Sequence, residues 1–142
     1  MKNFKSIIIP SLIFAGIVPF ILALILKLNI FILPIIGEDK LILGYSIIIS
    51  AFIAGSHWGI SLKSSSSFTI ISSNLLALII LFLFLWHQHI ASIAIFGFVL
   101  TFQLGIDAIL LKQQLITKSY WHYRCLATLV VISIITMYSL AS

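Results

Sequence analysis

The sequence predicts an all-α protein, a bundle of five transmembrane helices. Three observations predict it. Only eight Lys/Arg and three Asp/Glu occur in 142 residues, so 8% of the chain is charged, where a soluble domain carries about 25%. Apolar residues make up 62% of the chain and the mean hydropathy is +1.28. The apolar residues also fall in charge-free runs close to the roughly 20 residues that a helix needs to cross a bilayer. So little charge excludes the surface of a soluble globular domain, and so much hydrophobicity excludes a disordered chain. The runs lack the two-residue alternation of membrane strands, which argues against a barrel.

The whole chain, 1–142, reads as one integral-membrane domain. The first span is expected at 7–26. Pro10 would then fall in its first turn, where a missing N–H costs little, and Pro19 near its middle, where it bends the helix. Lys2 and Lys5 before this run imitate a signal peptide. The run is longer than a signal's apolar region and no A-x-A cleavage site follows, so it reads as a retained span. The apolar piece 28–36, broken by Pro34, is too short to cross; it either extends the first helix or lies at the interface. Gly37-Glu38-Asp39-Lys40 reads as the clearest loop.

The second span is expected at 41–62, followed by a polar turn of Lys63 and the Ser64–Ser67 run. The third is expected at 68–86, and His87-Gln88-His89 then form a short turn. The fourth is expected at 90–111. The hydrophilic stretch from Lys112 to His122 connects it to the fifth, at 123–140. Trp86 and Trp121 fall where interfacial aromatic belts lie.

Five spans put the termini on opposite sides. Lys2, Lys5, Lys63, Lys112, Lys118 and Arg124 share the N-terminal side, against Lys27 and Lys40 on the other. The positive-inside bias therefore puts the N-terminus inside and the C-terminus outside. The same basic residues form no Lys/Arg cluster, so nucleic acid is not an expected partner. The lipid bilayer is, and other membrane proteins or further copies of the chain are open as partners.

Small residues recur every four positions at Ala51, Gly55 and Gly59, and at Gly97, Thr101 and Gly105. This spacing lets membrane helices approach closely. The expected use is packing inside the bundle, with packing between copies as the alternative.

Ionisable groups within a span cost about 3 kcal/mol each on insertion scales, so each calls for a partner or a role. His57 lies five residues before Leu62, about 7 Å of helical rise. Asp107 lies four residues before Leu111, and Arg124 opens the fifth span from the same side. Asn74 falls in that half of the third span. Gln103 shares a helix face with Asp107 at i,i+4. These five residues form one expected polar layer, with Asp107 and Arg124 as its ion pair. Two readings stand beside each other. The layer is a structural clamp, with Asp107 neutralised by Arg124 and His57 given an acceptor. Or it is a proton or ligand site, as intramembrane Asp and His often are.

Other chemistry finds little support. Cys125 is the only cysteine, which excludes an internal disulfide and a Cys-based zinc site. Bis-histidine haem ligation would need His122 to face His57. His87 and His89 have no nearby carboxylate or thiol to complete a metal site. No G-x-S-x-G, H-E-x-x-H, P-loop or Rossmann glycine pattern occurs. Two of the three carboxylates are adjacent in one loop, which leaves no pair for acid–base work. No catalytic residue, metal or cofactor is expected.

The order of these features resembles a family of small multi-pass proteins, the transmembrane protein 69 family, a domain-of-unknown-function family with bacterial members and mitochondrial relatives. The resemblance rests on Gly16-Ile17-Val18-Pro19-Phe20, on Tyr45 leading into Phe52-Ile53-Ala54-Gly55-Ser56-His57-Trp58-Gly59, on Gln103 and Asp107, and on Tyr120 to Thr128 with Arg124. It covers about 16–131, and the Gly-x-His-Trp-Gly element is its most specific part. It implies a multi-helix protein of an inner membrane, bacterial or mitochondrial, and no particular activity. Small size, few polar groups and no large loop domain favour a non-enzymatic structural, assembly or partner-binding role. A small transporter or proton-conducting protein is the alternative, and an enzyme acting on a lipid or quinone ranks last.

Overall fold

The computed structural model describes residues 2–30, 37–63, 67–85 and 91–141. Among them are six helices and no strand: α1 (Lys2–Ala15), α2 (Val18–Lys27), α3 (Glu38–Ser61), α4 (Ser67–Leu85), α5 (Ala91–Lys112) and α6 (Lys118–Leu140). Five stretches are long and apolar enough to cross a membrane, and the first, Ile7–Lys27, is made of α1 and α2 together.

Pro19 explains why that span is two helices. Its ring cannot sit against the carbonyl four residues earlier, that of Ala15, where α1 stops. The Ile17 N–H turns back to the Phe14 carbonyl at 3.0 Å, and α2 restarts with Pro19 in its first turn. The expected bend is thus a break. Pro10, expected in a first turn, lies inside α1 because that helix already begins at Lys2.

Asn29 ends α2. It adopts a left-handed backbone, φ 54°, and donates its N–H to the Leu26 carbonyl, while the Ile30 N–H reaches the Ile25 carbonyl at 3.2 Å. This is a Schellman stop, which satisfies the last carbonyls of the helix. The segment after Lys27 therefore does not extend the first helix. Gln114, φ 57°, ends α5 the same way, with Leu115 N–H on the Leu110 carbonyl at 3.0 Å.

Two boundaries differ from expectation. Glu38, Asp39 and Lys40 are the first turn of α3, not a loop. Gly37 caps them in extended conformation, and the two acids suit the positive end of the helix dipole. Likewise α6 starts at Lys118, five residues before the expected 123. The Thr117 side chain accepts from the Tyr120 N–H at 3.2 Å and so seeds the helix inside the hydrophilic connector. The expectations for 31–36, Ser64–Ser66, Trp86 and His87-Gln88-His89 lie outside the described residues.

α3 packs against α2, α4 and α5, and α6 packs against α1, α2 and α5. One apolar core joins α2, α3, α5 and α6 around Phe20, Ile53, Leu100 and Tyr138. A second joins α3, α4 and α5 around Ala54, Leu76, Phe96 and Leu110. The outside is apolar as well: Ile48, Phe52, Leu78, Phe82, Phe98 and Leu129 are all exposed. Buried polar groups inside an apolar exterior are the order expected of a chain whose solvent is hydrocarbon.

The small-residue stripes do not pack inside the bundle. Ala51, Gly55, Gly59, Thr101 and Gly105 are exposed. A Cβ added at Gly55, Gly59, Gly97 or Gly105 would meet nothing within 4 Å. Thr101 and Gly105 line an outward groove with Phe98 and Phe102. The spacing defines one face of each helix, but the apolar cores occupy other faces.

Candidate functional site

Three helices deliver the polar cluster. His57 comes from the last turns of α3, Asp107 from the last turns of α5, and Arg124 from the second turn of α6. All three are buried: His57 is 1% exposed, Asp107 0% and Arg124 9%.

Asp107 sits between the other two. His57 Nε2 donates to Oδ1 at 2.9 Å, and Arg124 Nε donates to Oδ2 at 3.2 Å. An ionised carboxylate only accepts, so Nε2 is the nitrogen of His57 that carries the hydrogen. Both oxygens of Asp107 are thus engaged, each by a different helix. Such a group is stable in low dielectric only while its partners stay in place. Charge-assisted hydrogen bonds of this kind also fix side-chain orientation.

Gln103 lies one turn before Asp107 on the same face. Its Nε2 donates to the Ser50 carbonyl of α3 at 2.8 Å. The α3–α5 contact is therefore tied twice, by Gln103–Ser50 and by His57–Asp107, seven residues apart on α3 and four on α5. The two helices run in the same direction.

Asn74 stands apart from this cluster. It is exposed, and its Nδ2 donates to the Ile70 carbonyl of its own helix at 2.9 Å. It belongs to the right stretch of chain but the wrong face, because α4 turns Ser72, Ser73 and Leu76 inward instead. His122 is also exposed, with Nδ1 against the Lys118 carbonyl at 2.8 Å. Among the described residues no three His, Cys, Asp or Glu side chains gather as metal ligands would.

Several polar groups escaped the sequence reading. Ser46, Ser50, His57 and Ser61 follow spacings of four, seven and four along the buried face of α3. The Oγ atoms of these three serines, Nδ1 of His57, Oε1 of Gln103 and Nη2 of Arg124 are buried without hydrogen-bond partners among the described residues. The spacing was the available signal, since it repeats a helical face. At the opposite end of the bundle, Tyr138 of α6 donates its hydroxyl hydrogen to Asp39 in the first turn of α3. Lys27 stands 3.9 Å from the same carboxylate and lies over the Tyr138 ring, 5.2 Å from its centre. The Asp39–Tyr138 bond joins residues 99 apart in sequence, and of the three only the acid and the lysine stand out in the sequence, as charges.

A cavity of about 340 Å³ adjoins the main cluster. Its walls come from the α1–α2 break, α3 and α6, with Arg124 and Leu100 of α5 among the lining residues. The broken first span explains it. α2 packs against both α3 and α6, whereas α1 leans on α6, so a gap opens between α1 and α3.

No curated protein and no solved structure matches the chain. A family model does match, over residues 8–140, a stretch that takes in all three residues of the His57–Asp107–Arg124 cluster and both residues of the Asp39–Tyr138 tie. With nearly its whole length inside that match, the chain belongs to the family described as "Protein of unknown function (DUF3429)".

Proposed function

We propose that this protein is a non-enzymatic integral membrane protein that binds other membrane components, and that His57, Asp107 and Arg124 form its structural clamp. One observation carries the reading: both oxygens of the fully buried Asp107 are already taken, by donors from two other helices. Asp107 is also absent from the residues that line the adjoining cavity, so its carboxylate presents no surface to a substrate. The outward small-residue stripes at Ala51, Gly55 and Gly59 and at Gly97 and Gly105 support contacts with partner helices or further copies. The order of motifs supports a place in the transmembrane protein 69 family, and with it an inner membrane, bacterial or mitochondrial. The six-to-two distribution of Lys and Arg supports an N-terminus inside.

A specific observation favours a second reading, proton conduction. Ser46, Ser50, His57 and Ser61 line one buried face of α3 with unpartnered polar atoms, and hydroxyl and imidazole groups both donate and accept hydrogen bonds.

The deciding experiment is proton flux into vesicles holding the purified protein and a pH-sensitive dye, under an imposed potential. The clamp reading expects flux no faster than in empty vesicles. It also expects the double variant Asp107→Asn, Arg124→Leu to remain folded and to keep any stoichiometric membrane partner. Flux that disappears in the folded double variant overturns the clamp.

A further inference from the structure

The cavity between α1, α3 and α6 touches the clamp only at Arg124, whose Nε is already spent on Asp107. Its walls are mostly aliphatic. Besides Arg124, the lining side chains with polar atoms are Ser56, Tyr120 and Thr128. Ser56 donates its hydroxyl hydrogen to the Ile53 carbonyl of its own helix at 2.8 Å, Thr128 is buried, and Tyr120 is half-buried in the first turn of α6. An ordered water needs about two to four polar partners, so this lining suits a hydrocarbon chain better than water. Ile9, Leu12 and Phe52 belong to the lining and are also exposed. The cavity therefore opens sideways between α1 and α3, onto the apolar exterior of the bundle, where the solvent is acyl chains.

Charge selects among lipids. The chain has three acidic side chains; Glu38 and Asp39 begin α3, and Asp107 is buried in the clamp. The start of α3 and the end of α6 share one end of the bundle, where Asp39 meets Tyr138. The other end, where α1 and α6 begin and α3 and α5 stop, holds Lys2, Lys5, Lys63, Lys112 and Lys118 with no acid at its surface. Three of these lysines continue the cavity walls. Lys5 and Lys2 precede Ile9 by four and seven residues on α1. Lys63, exposed, follows Ser56 by seven. Such spacings repeat one helical face, so each lysine position extends the face of a lining residue one or two turns toward that surface. We infer that the cleft between α1 and α3 binds an anionic phospholipid of the adjoining leaflet, with one acyl chain in the cavity and the phosphate at the Lys5–Lys63 end. A volume of about 340 Å³ lies at the lower end of ligand pockets, room for part of one chain, and leaves the head group outside at the surface. Lysines near a bilayer surface attract anionic head groups, and tyrosines such as Tyr120 settle at head-group level. The inference goes beyond the clamp reading and fails separately from it, because proton flux tests one and lipid retention the other.

The test is native mass spectrometry of the full chain released from mild detergent, with phosphatidylglycerol and phosphatidylcholine of the same acyl chains added in equal amounts. One retained phosphatidylglycerol is expected, favoured over phosphatidylcholine by about ten-fold. Lys5→Gln with Lys63→Gln is expected to abolish that preference. Lys112→Gln with Lys118→Gln, which removes the same charge at positions off the cavity faces, is expected to keep it. Ser56→Phe, which puts a ring into the cavity, is expected to reduce retention of both lipids in a chain that still unfolds at nearly the wild-type temperature. Equal retention of the two lipids by the wild type overturns the proposal. So does a preference that falls equally in the two lysine pairs, which would make it a property of the whole surface. A folded Ser56→Phe chain that retains lipid as the wild type does also overturns it, and should that variant not fold, the two lysine pairs decide. Palmitate retained in place of phosphatidylglycerol would make the ligand a fatty acid and overturns it as well.

Discussion

Arg124 reaches Asp107 through Nε, at 3.2 Å, and its Nη2 has no hydrogen-bond partner among the described residues. The contact is a single hydrogen bond from the stem side of the guanidinium, not the two-pronged grip that Arg often makes on a carboxylate. It holds α6 to α5 while His57 holds α3 to α5 through the other oxygen.

This geometry predicts unequal effects of single and paired substitutions. Arg124→Leu alone leaves Asp107 with one of its two donors, and Asp107→Asn alone leaves a buried guanidinium uncompensated. Each is expected to cost about 3–5 kcal/mol. The pair together is expected to recover most of that loss. A double-mutant cycle on unfolding in mild detergent measures the coupling, and additive losses would contradict the ion pair.

Gln103→Leu is expected to be milder. It removes one neutral bond to the Ser50 carbonyl, and interhelical hydrogen bonds in membranes average about 0.6 kcal/mol, with a maximum near 1.7. The same unfolding assay reads it. A loss as large as that of Asp107→Asn would mean that Gln103 positions the carboxylate.

Depth and azimuth were unequally legible in the sequence. Charge-free runs mark how far along a span a residue lies, so His57, Asp107 and Arg124 could be set at one level, and the short connector from α5 to α6 made the Asp107–Arg124 pairing easy to see. Which way a side chain faces around its helix depends on every neighbour at once. Asn74 has the right depth but points outward, because Thr69, Ser72, Ser73 and Leu76 take the inner face of α4. The glycine spacing in α3 and α5 likewise marked a face without saying what covers it. Helix ends set by single residues were also hard to see. Thr117 begins α6 within a polar stretch, and Asn29 ends α2 within an apolar one.

Gly55→Ala and Gly59→Ala follow from that outward face. With open space at both Cβ positions, neither substitution meets a neighbour within the chain. Each is expected to leave the bundle intact or to stabilise it by about 0.5–1 kcal/mol through lower backbone entropy in the unfolded chain. Cross-linking of single-cysteine variants at the same faces reports contact between copies, and a drop in the unfolding midpoint would reveal packing that the monomer lacks.

Pro19→Ala is expected to join α1 and α2 into one helix. Spin labels at the exposed Leu12 and Leu28 would then sit about 24 Å apart along the axis, at 1.5 Å per residue over 16 residues. The wild type is expected to give a shorter distance, because Pro19 interrupts the helical hydrogen bonds at 16–17 and a proline inside a helix kinks it. Equal distances would mean that proline is not what divides the span.

Reporter fusions test the threading. A reporter attached after Ser142 is expected to read as outside and one before Lys2 as inside, from the distribution of Lys and Arg. A cytoplasmic signal at the C-terminus would reverse the orientation or change the number of crossings.

The two ties between α3 and distant parts of the chain have a joint mechanical meaning. Asp39 meets Tyr138 at one end of the bundle, and His57 meets Arg124 through Asp107 at the other. Helices bound only by apolar contacts can slide along each other at small cost. Here a shift of α3 by one turn against α6, about 5.4 Å, would break both stations together. The pair is latched against shear, as a plank pinned at both ends is.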